Sequence, residues 1–163
     1  MPADGVAVIN ADDAFGAYFA ERASGNRLLR FGLEASADVT ARDVRTSAEG
    51  SQFTLLTPQG EVAITLPLPG RHNVLNALAA ASLALACGAS LSTIAEGLAA
   101  VQPVPGRQIA CDLDNGVVLV DDSYNANPAS LDAAMDALVA AAGESWLVLG
   151  DMRELGEQGG ELH

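Results

Sequence analysis

The chain contains 163 residues, half of them apolar, and its 8 basic residues, all Arg, face 21 acidic ones for a formal net charge of −13. The acidic balance argues against nucleic acid and anionic membrane surfaces as partners, no apolar run reaches the roughly 20 residues that cross a bilayer, and the start lacks the features of a signal peptide. The absence of Lys excludes a phosphate-binding loop of the GKT type, a Schiff-base lysine and a carbamylated lysine from this chain. We therefore expect a cytoplasmic α/β protein of one domain or of parts of two.

The first elements predicted along the chain are two strands joined by a helix. A short apolar run at Val6–Asn10 is typical of a buried strand. Asp12 and Asp13 resemble an N-cap, and an amphipathic helix is predicted to follow them as far as about Ala23. Residues 28–31 form another short apolar run and predict the second strand.

An antiparallel region and two helices are predicted next. From 38 to 68 the apolar period changes to two, and the Pro-Gln-Gly turn at 58–60 indicates a β-hairpin. A long helix is expected over 72–86, with Gly88 positioned as its C-cap. Residues 90–100 fit a second helix that a serine begins.

A Pro-Val-Pro-Gly sequence at 103–106 interrupts the chain, and the pattern changes after it. The elements predicted there are a buried strand at 117–120, a polar loop at 121–127, a helix at 128–142 with Pro at its first position, and a strand at 146–149. This order is typical of the opening of a parallel, Rossmann-like sheet.

Two strands cannot cover both faces of such a sheet, so the sequence predicts parts of two domains, at residues 1–110 and 111–163. Cys87 and Cys111 have neither a metal-ligand spacing nor a CxxC pattern. We expect both to be reduced thiols in the core of a cytoplasmic protein.

Asn73 and Asn76 lie three positions apart on the first turn of the helix predicted at 72–86. Their amides therefore share one face near the positive end of the helix dipole. A carboxamide presents a donor beside an acceptor and can pair with the N6 and N7 edge of adenine. These residues and the adjacent His72 are equally consistent with ordinary polar positions of a first helical turn, with His72 a satisfied core or loop histidine.

Two further strings contain groups that can bind a nucleotide. Arg107 follows a Pro-Gly turn, from which a guanidinium can reach a phosphate or stack on a base, although a surface arginine of a linker has the same pattern. The loop DDSYNANP at 121–128 begins at the carboxyl end of a predicted strand, the edge at which open α/β sheets bind ligands. A carboxylate there can accept both hydroxyls of a ribose, whereas Asn127 and Pro128 are explained by helix capping.

These strings, together with GDMRELG at 150–156, resemble the ATP-dependent Mur ligases of peptidoglycan synthesis. HNVLNALAA at 72–80 and the later Pro-Gly-Arg are shared across that superfamily, which includes the folylpolyglutamate synthases. DDSYNANP and GDMRELG resemble more specifically the members that add D-alanyl-D-alanine to UDP-N-acetylmuramoyl-tripeptide. VINADD at 8–13 and LPLPGRHN at 66–73 extend the resemblance along the chain. A folylpolyglutamate synthase-like enzyme and a non-catalytic nucleotide-binding module are the alternatives.

The resemblance implies that six residues bind ATP: His72, Asn73, Asn76, Arg107, Asp122 and Tyr124. The asparagines would contact the adenine with the histidine beside them, and the arginine would approach the nucleotide from the hinge between two domains. The aspartate would hold the ribose, and the tyrosine would lie near the nucleotide.

The resemblance also implies a fold and a division of labour. The expected fold is α/β: the C-terminal half of a P-loop-type central domain with an antiparallel β patch, followed by the first β-α-β of a Rossmann-like C-terminal domain. The family's GKT-type loop, its Mg²⁺-binding Glu and His and its carbamylated Lys are expected outside this chain. No catalytic residue or metal ligand is therefore predicted within it, and the chain alone is expected to be inactive.

Overall fold

The structure is a computed structural model that describes residues 2, 4–47, 49–107, 109–140, 143–153, 155–156 and 159–162. The chain divides into two compact units, Met1–Gln102 and Pro103–His163. This division precedes the boundary after residue 110 that the sequence predicts.

Unit 1 opens with a parallel pair of strands and an intervening helix: β1 (Val6–Asn10), α1 (Gly16–Arg22) and β2 (Arg27–Phe31). The three predicted elements are confirmed, but the predicted N-cap is wrong. The helix begins without a side-chain cap, and the Asp13 carboxylate accepts the N–H of Phe15, which precedes the helix, at 2.8 Å. The carboxylate of Asp12 is bound instead by the loop that follows β2, because three consecutive N–H groups of that loop point at it.

The predicted antiparallel region is a three-stranded sheet: β3 (Thr40–Ser47), β4 (Gly50–Thr57) and β5 (Gly60–Leu66), in that order. Thr57 pairs with Gly60 across the predicted hairpin turn, which confirms the hairpin. The register of β3 shifts between Arg42 and Arg45, where Asp43 adopts a φ of 55°.

Two helices complete unit 1: α2 (Arg71–Ala86) and α3 (Leu91–Ala99). Gly88, with a φ of +87°, follows the end of α2 as predicted, since a positive φ suits glycine at this position. The hydroxyl of Ser90 accepts the N–H of Thr93 at 3.2 Å and caps α3.

The core of unit 1 lies between α2 and the strands. The buried positions of α2 recur at the spacing of one helical face, and they are mostly Ala, Val and Leu. Val39, Leu55, Val74 and Leu78 are completely buried. Helix α2 contacts β1, β2, β3 and β4, so the packing fixes the position of the helix against the strands.

Unit 2 departs from the predicted strand–helix–strand order. Its described elements are β6 (Ile109–Asp112), β7 (Val118–Asp121), α4 (Pro128–Ala140) and α5 (Gly159–Leu162). Strand β7 was predicted, but its described partner is the unpredicted and antiparallel β6. Residues 146–149 form no strand in the structure, so the prediction of a parallel strand there is wrong. A strand forms only with a hydrogen-bonded neighbouring strand, and an apolar run in the sequence does not specify such a neighbour.

The burial predicted for unit 2 is also wrong. Val118 and Val120 are 59% and 55% exposed, since a two-stranded ribbon cannot enclose side chains. Cys87 and Cys111 are free, and both are exposed rather than in the core. The capping of α4 is as predicted: Asn127 Oδ1 accepts the N–H of Ser130 at 2.9 Å, while the expected helix end at 141–142 lies outside the described residues.

No helix in the part of the chain that the structure describes combines the length and the apolar character needed to cross a membrane.

Candidate functional site

The first turn of α2 places His72, Asn73 and Asn76 together. Asn73 Nδ2 donates to the carbonyl of Pro69 at 2.7 Å, and Asn73 Oδ1 accepts from Asn76 Nδ2 at 3.4 Å. Asn73 is half-buried, whereas His72 and Asn76 are exposed. An amide offers two donor hydrogens and two acceptor lone pairs. These bonds therefore orient the Asn73 amide and leave one hydrogen and one lone pair for a ligand.

Gly70 determines how this turn begins. It precedes α2 with a φ of +91°, and no side chain caps the helix. A Cβ at this position would lie 2.7 Å from Cε1 of His72, so the imidazole covers the glycine backbone. His72 is accordingly a surface residue at the helix start and not a core histidine.

In unit 2 the structure brings the Pro-Gly-Arg turn and the DDSYNANP loop into contact. The Arg107 guanidinium lies over the ring of Tyr124, with Cζ 4.3 Å from the ring centroid. The carbonyl of Gly106 accepts the N–H of Tyr124 at 2.9 Å. A cation over an exposed aromatic ring contributes about 0.5–1 kcal/mol. Tyr124 therefore orients Arg107, a contact that neither string reveals by itself.

The fit of Gly106 against Tyr124 gives a testable expectation. Gly106 is buried with a φ of +75°, and a Cβ there would lie 3.0 Å from the backbone nitrogen of Tyr124. Gly116 has nearly the same φ, +79°, but open space around it. Both Gly→Ala variants should lose about 1–2 kcal/mol of unfolding free energy through the unfavourable φ.

Gly106→Ala should lose up to about 1 kcal/mol more than Gly116→Ala, because the Tyr124 backbone must move away from the new Cβ and its bond to the Gly106 carbonyl is weakened. Urea unfolding of both variants measures this difference. Equal losses in the two variants would show that the Gly106–Tyr124 contact contributes nothing.

The loop after β7 separates the roles of its two aspartates. Asp121 Oδ1 accepts the N–H of Ser123 at 3.1 Å, and the hydroxyl and N–H of Ser123 together hold the pKa of Asp121 below its usual value. Asp122 is exposed at the carboxyl end of the strand. Asp121 thus shapes the loop, and Asp122 lies on the surface directly after the strand.

The GDMRELG segment at 150–156 shows less about a possible site. Met152 is buried, and its neighbours Asp151 and Arg153 are exposed. Glu154 lies outside the described residues. The described side chains include no group of three or more His, Cys, Asp or Glu that could hold a metal ion.

Asp12 has a role that the sequence pattern did not predict. Its carboxylate accepts the N–H groups of Leu33, Glu34 and Ala35 at 2.7, 3.1 and 2.8 Å. Burial raises the pKa of Asp12, but these three bonds and the charge of Arg71 outweigh it, so the pKa lies below its usual value. Gly32 was the sequence feature that could have indicated this role, because a side chain at that position would crowd the carboxylate. A Cβ there would lie 2.8 Å from Asp12 Oδ1.

Two models of known protein families match the chain, one in each unit. The model of the Mur ligase middle domain matches residues 1–84, and that of the Mur ligase glutamate ligase domain matches residues 106–163.

The chain is 42% identical to the UDP-N-acetylmuramoyl-tripeptide–D-alanyl-D-alanine ligase of Escherichia coli (strain K12), over 100% of this chain and 36% of that protein. A crystal structure of MurF from Acinetobacter baumannii matches with a TM-score of 0.89 and 37% identity, over 99% of this chain and 35% of that one. MurF from Thermotoga maritima in complex with ADP matches with a TM-score of 0.77 and 26% identity, over 98% and 36%. The chain thus spans about a third of the length of the relatives it matches.

Proposed function

Because the chain belongs to the Mur ligase family, we propose that it forms part of an ATP-dependent ligase that adds D-alanyl-D-alanine to UDP-N-acetylmuramoyl-tripeptide. The observation that carries this proposal is the match of the whole chain to a ligase of that name in Escherichia coli. The strings DDSYNANP and GDMRELG support the same assignment. The reaction would take place in the cytoplasm and supply a precursor for peptidoglycan, and through it for cell shape and division.

The proposed reaction forms one amide bond at the expense of ATP. The terminal carboxylate of the tripeptide attacks the γ-phosphorus, which gives an acyl phosphate and ADP. The amine of D-alanyl-D-alanine then attacks the acyl carbon, and the amide, phosphate and a proton are released. Mg²⁺ would neutralise charge on the transferring phosphoryl group in such a reaction, but its ligands are expected outside this chain.

Within this reaction the chain would contribute nucleotide binding. The half-buried Asn73 amide, oriented by Pro69 and Asn76, has the donor and acceptor needed for the N6 and N7 edge of adenine. Asp122 would accept the ribose hydroxyls, as a carboxylate at the end of a strand does in other nucleotide-binding sheets. Arg107, stacked on Tyr124, would contact the nucleotide through its exposed edge.

The assignment is tested by phosphate release from the full-length ligase that contains this chain, with ATP and UDP-N-acetylmuramoyl-tripeptide. D-alanyl-D-alanine should support turnover, whereas single amino acids such as L-glutamate or a diaminopimelate should not. Turnover with L-glutamate on a folate substrate would instead assign the chain to a folylpolyglutamate synthase. Nucleotide binding without turnover on any of these acceptors would favour a non-catalytic module.

Asn73→Ala in the full-length ligase should raise the KM for ATP about 5- to 150-fold, the effect of losing about 1–3 kcal/mol of base recognition. The contact is equal in the ground and transition states, so kcat should stay within about twofold. ATP that lacks N7 (7-deaza-ATP) should bind the native ligase more weakly but lose nothing further in Asn73→Ala. A collapse of kcat with an unchanged KM would contradict the adenine assignment.

A further inference from the structure

Arg71 is the first residue of α2 and directly precedes His72 and Asn73. A cation beside a nucleotide-binding string suggests a phosphate ligand. In the structure, however, the Arg71 guanidinium forms an ion pair with Glu34. A positive charge at the N-terminus of a helix opposes the helix dipole, and the Glu34 carboxylate offsets that repulsion.

Glu34 is itself held in place by Asp12. The N–H groups of residues 33–35 all point to the Asp12 carboxylate, at 2.7–3.1 Å. Asp12 follows β1, so the contacts run from the end of this strand through the loop after β2 to the first turn of α2. Asp12, Glu34, Arg71 and His72 also line one cavity of about 280 Å³.

We propose that Asp12, Glu34 and Arg71 form a positioning network that fixes the first turn of α2 for nucleotide binding, and that Arg71 serves this network and not a phosphate group. The inference rests on the proposed role of Asn73 in binding ATP. Neither Glu34 nor Arg71 needs to touch the nucleotide, because Arg71 lies on the turn that carries Asn73.

The test uses the full-length ligase with Glu34→Gln, with Arg71→Gln, and with the exchanged pair Glu34→Arg and Arg71→Glu. Each single variant should raise the KM for ATP about twofold to fivefold, the range of an exposed ion pair, and leave kcat within twofold. The exchanged pair should return the KM to within about twofold of the native value. Glu61→Gln is the matched control, since it breaks an equally exposed ion pair with Arg42 at 2.9 Å on the β3–β5 sheet and should not change the KM.

A second measurement does not depend on activity. Asp12→Asn replaces one acceptor oxygen by a donor, so at least one of the three backbone bonds must be lost. Amide hydrogen exchange should accelerate at least tenfold for at least one of Leu33, Glu34 and Ala35, while exchange in β4 stays unchanged. Unaltered exchange at all three amides would overturn the part of the network that Asp12 provides.

Asn73→Ala serves as the reference for the kinetic test. If it leaves the KM for ATP unchanged, the proposed nucleotide-binding role of α2 is wrong. If it raises the KM but Glu34→Gln does not, or if the exchanged pair fails to restore it, the positioning network alone is wrong. A tenfold or larger loss of kcat in Arg71→Gln, with Glu34→Gln at the native level, would identify Arg71 as a phosphate ligand and overturn the proposal.

Discussion

The 163-residue chain alone is expected to release no phosphate from ATP in the presence of UDP-N-acetylmuramoyl-tripeptide and D-alanyl-D-alanine. Phosphoryl transfer depends on cations and N–H groups positioned around the transferring group. The chain contains no Lys, and its described residues offer no metal-binding cluster. We therefore expect the groups that accelerate the reaction to lie in other parts of the ligase, apart from the residues proposed here to bind the nucleotide.

The measurement is a phosphate-release assay of the purified chain. Two affinity steps during its purification remove the ligase of the expression host. The full-length ligase is the positive control, and its variant with the GKT-type lysine replaced shows the background. Turnover by the chain above that background would contradict the assignment of all phosphoryl-transfer groups to other parts of the ligase.

The architecture of unit 1 was predictable because its signals are local. Helix α2 is a continuous Ala- and Leu-rich run that ends before Gly88, and the alternation in β4 and β5 flanks a turn that contains Gly60. Each of these patterns is satisfied by burial on one face, and unit 1 supplies the opposite layer. Its strands and helices therefore form where the sequence predicts them.

The features that the sequence did not reveal depend on partners distant along the chain. Asp12 binds N–H groups more than 20 positions away, so its identity as a carboxylate suggested a helix cap nearby. Arg107 and Tyr124 meet because a glycine lets two turns approach, which no periodicity encodes. Strand β7 was predicted from its apolar residues, but those residues could not specify β6 as its neighbour.

Asp122→Ala in the full-length ligase should lower the affinity for ATP about 10- to 150-fold. A hydrogen bond to a charged group contributes about 1.5–3 kcal/mol, and the carboxylate at the end of β7 would accept from the ribose. Asp121 offers the matched control, because its carboxylate is engaged by Ser123 and its pKa is held low by that contact. Asp121→Asn should therefore leave the affinity for ATP within about threefold.

Nucleotides that lack one ribose hydroxyl separate a direct contact from a distorted loop. The native ligase should bind 2′-deoxy-ATP or 3′-deoxy-ATP about tenfold or more weakly than ATP, since one hydrogen bond to the carboxylate is missing. In Asp122→Ala that discrimination should disappear, because no acceptor is left to distinguish the sugars. Isothermal titration of both proteins with the three nucleotides measures the coupling. If Asp122→Ala still distinguishes ATP from both deoxynucleotides by the native factor, the ribose is held by another residue, and Asp122 acts only on the shape of its loop.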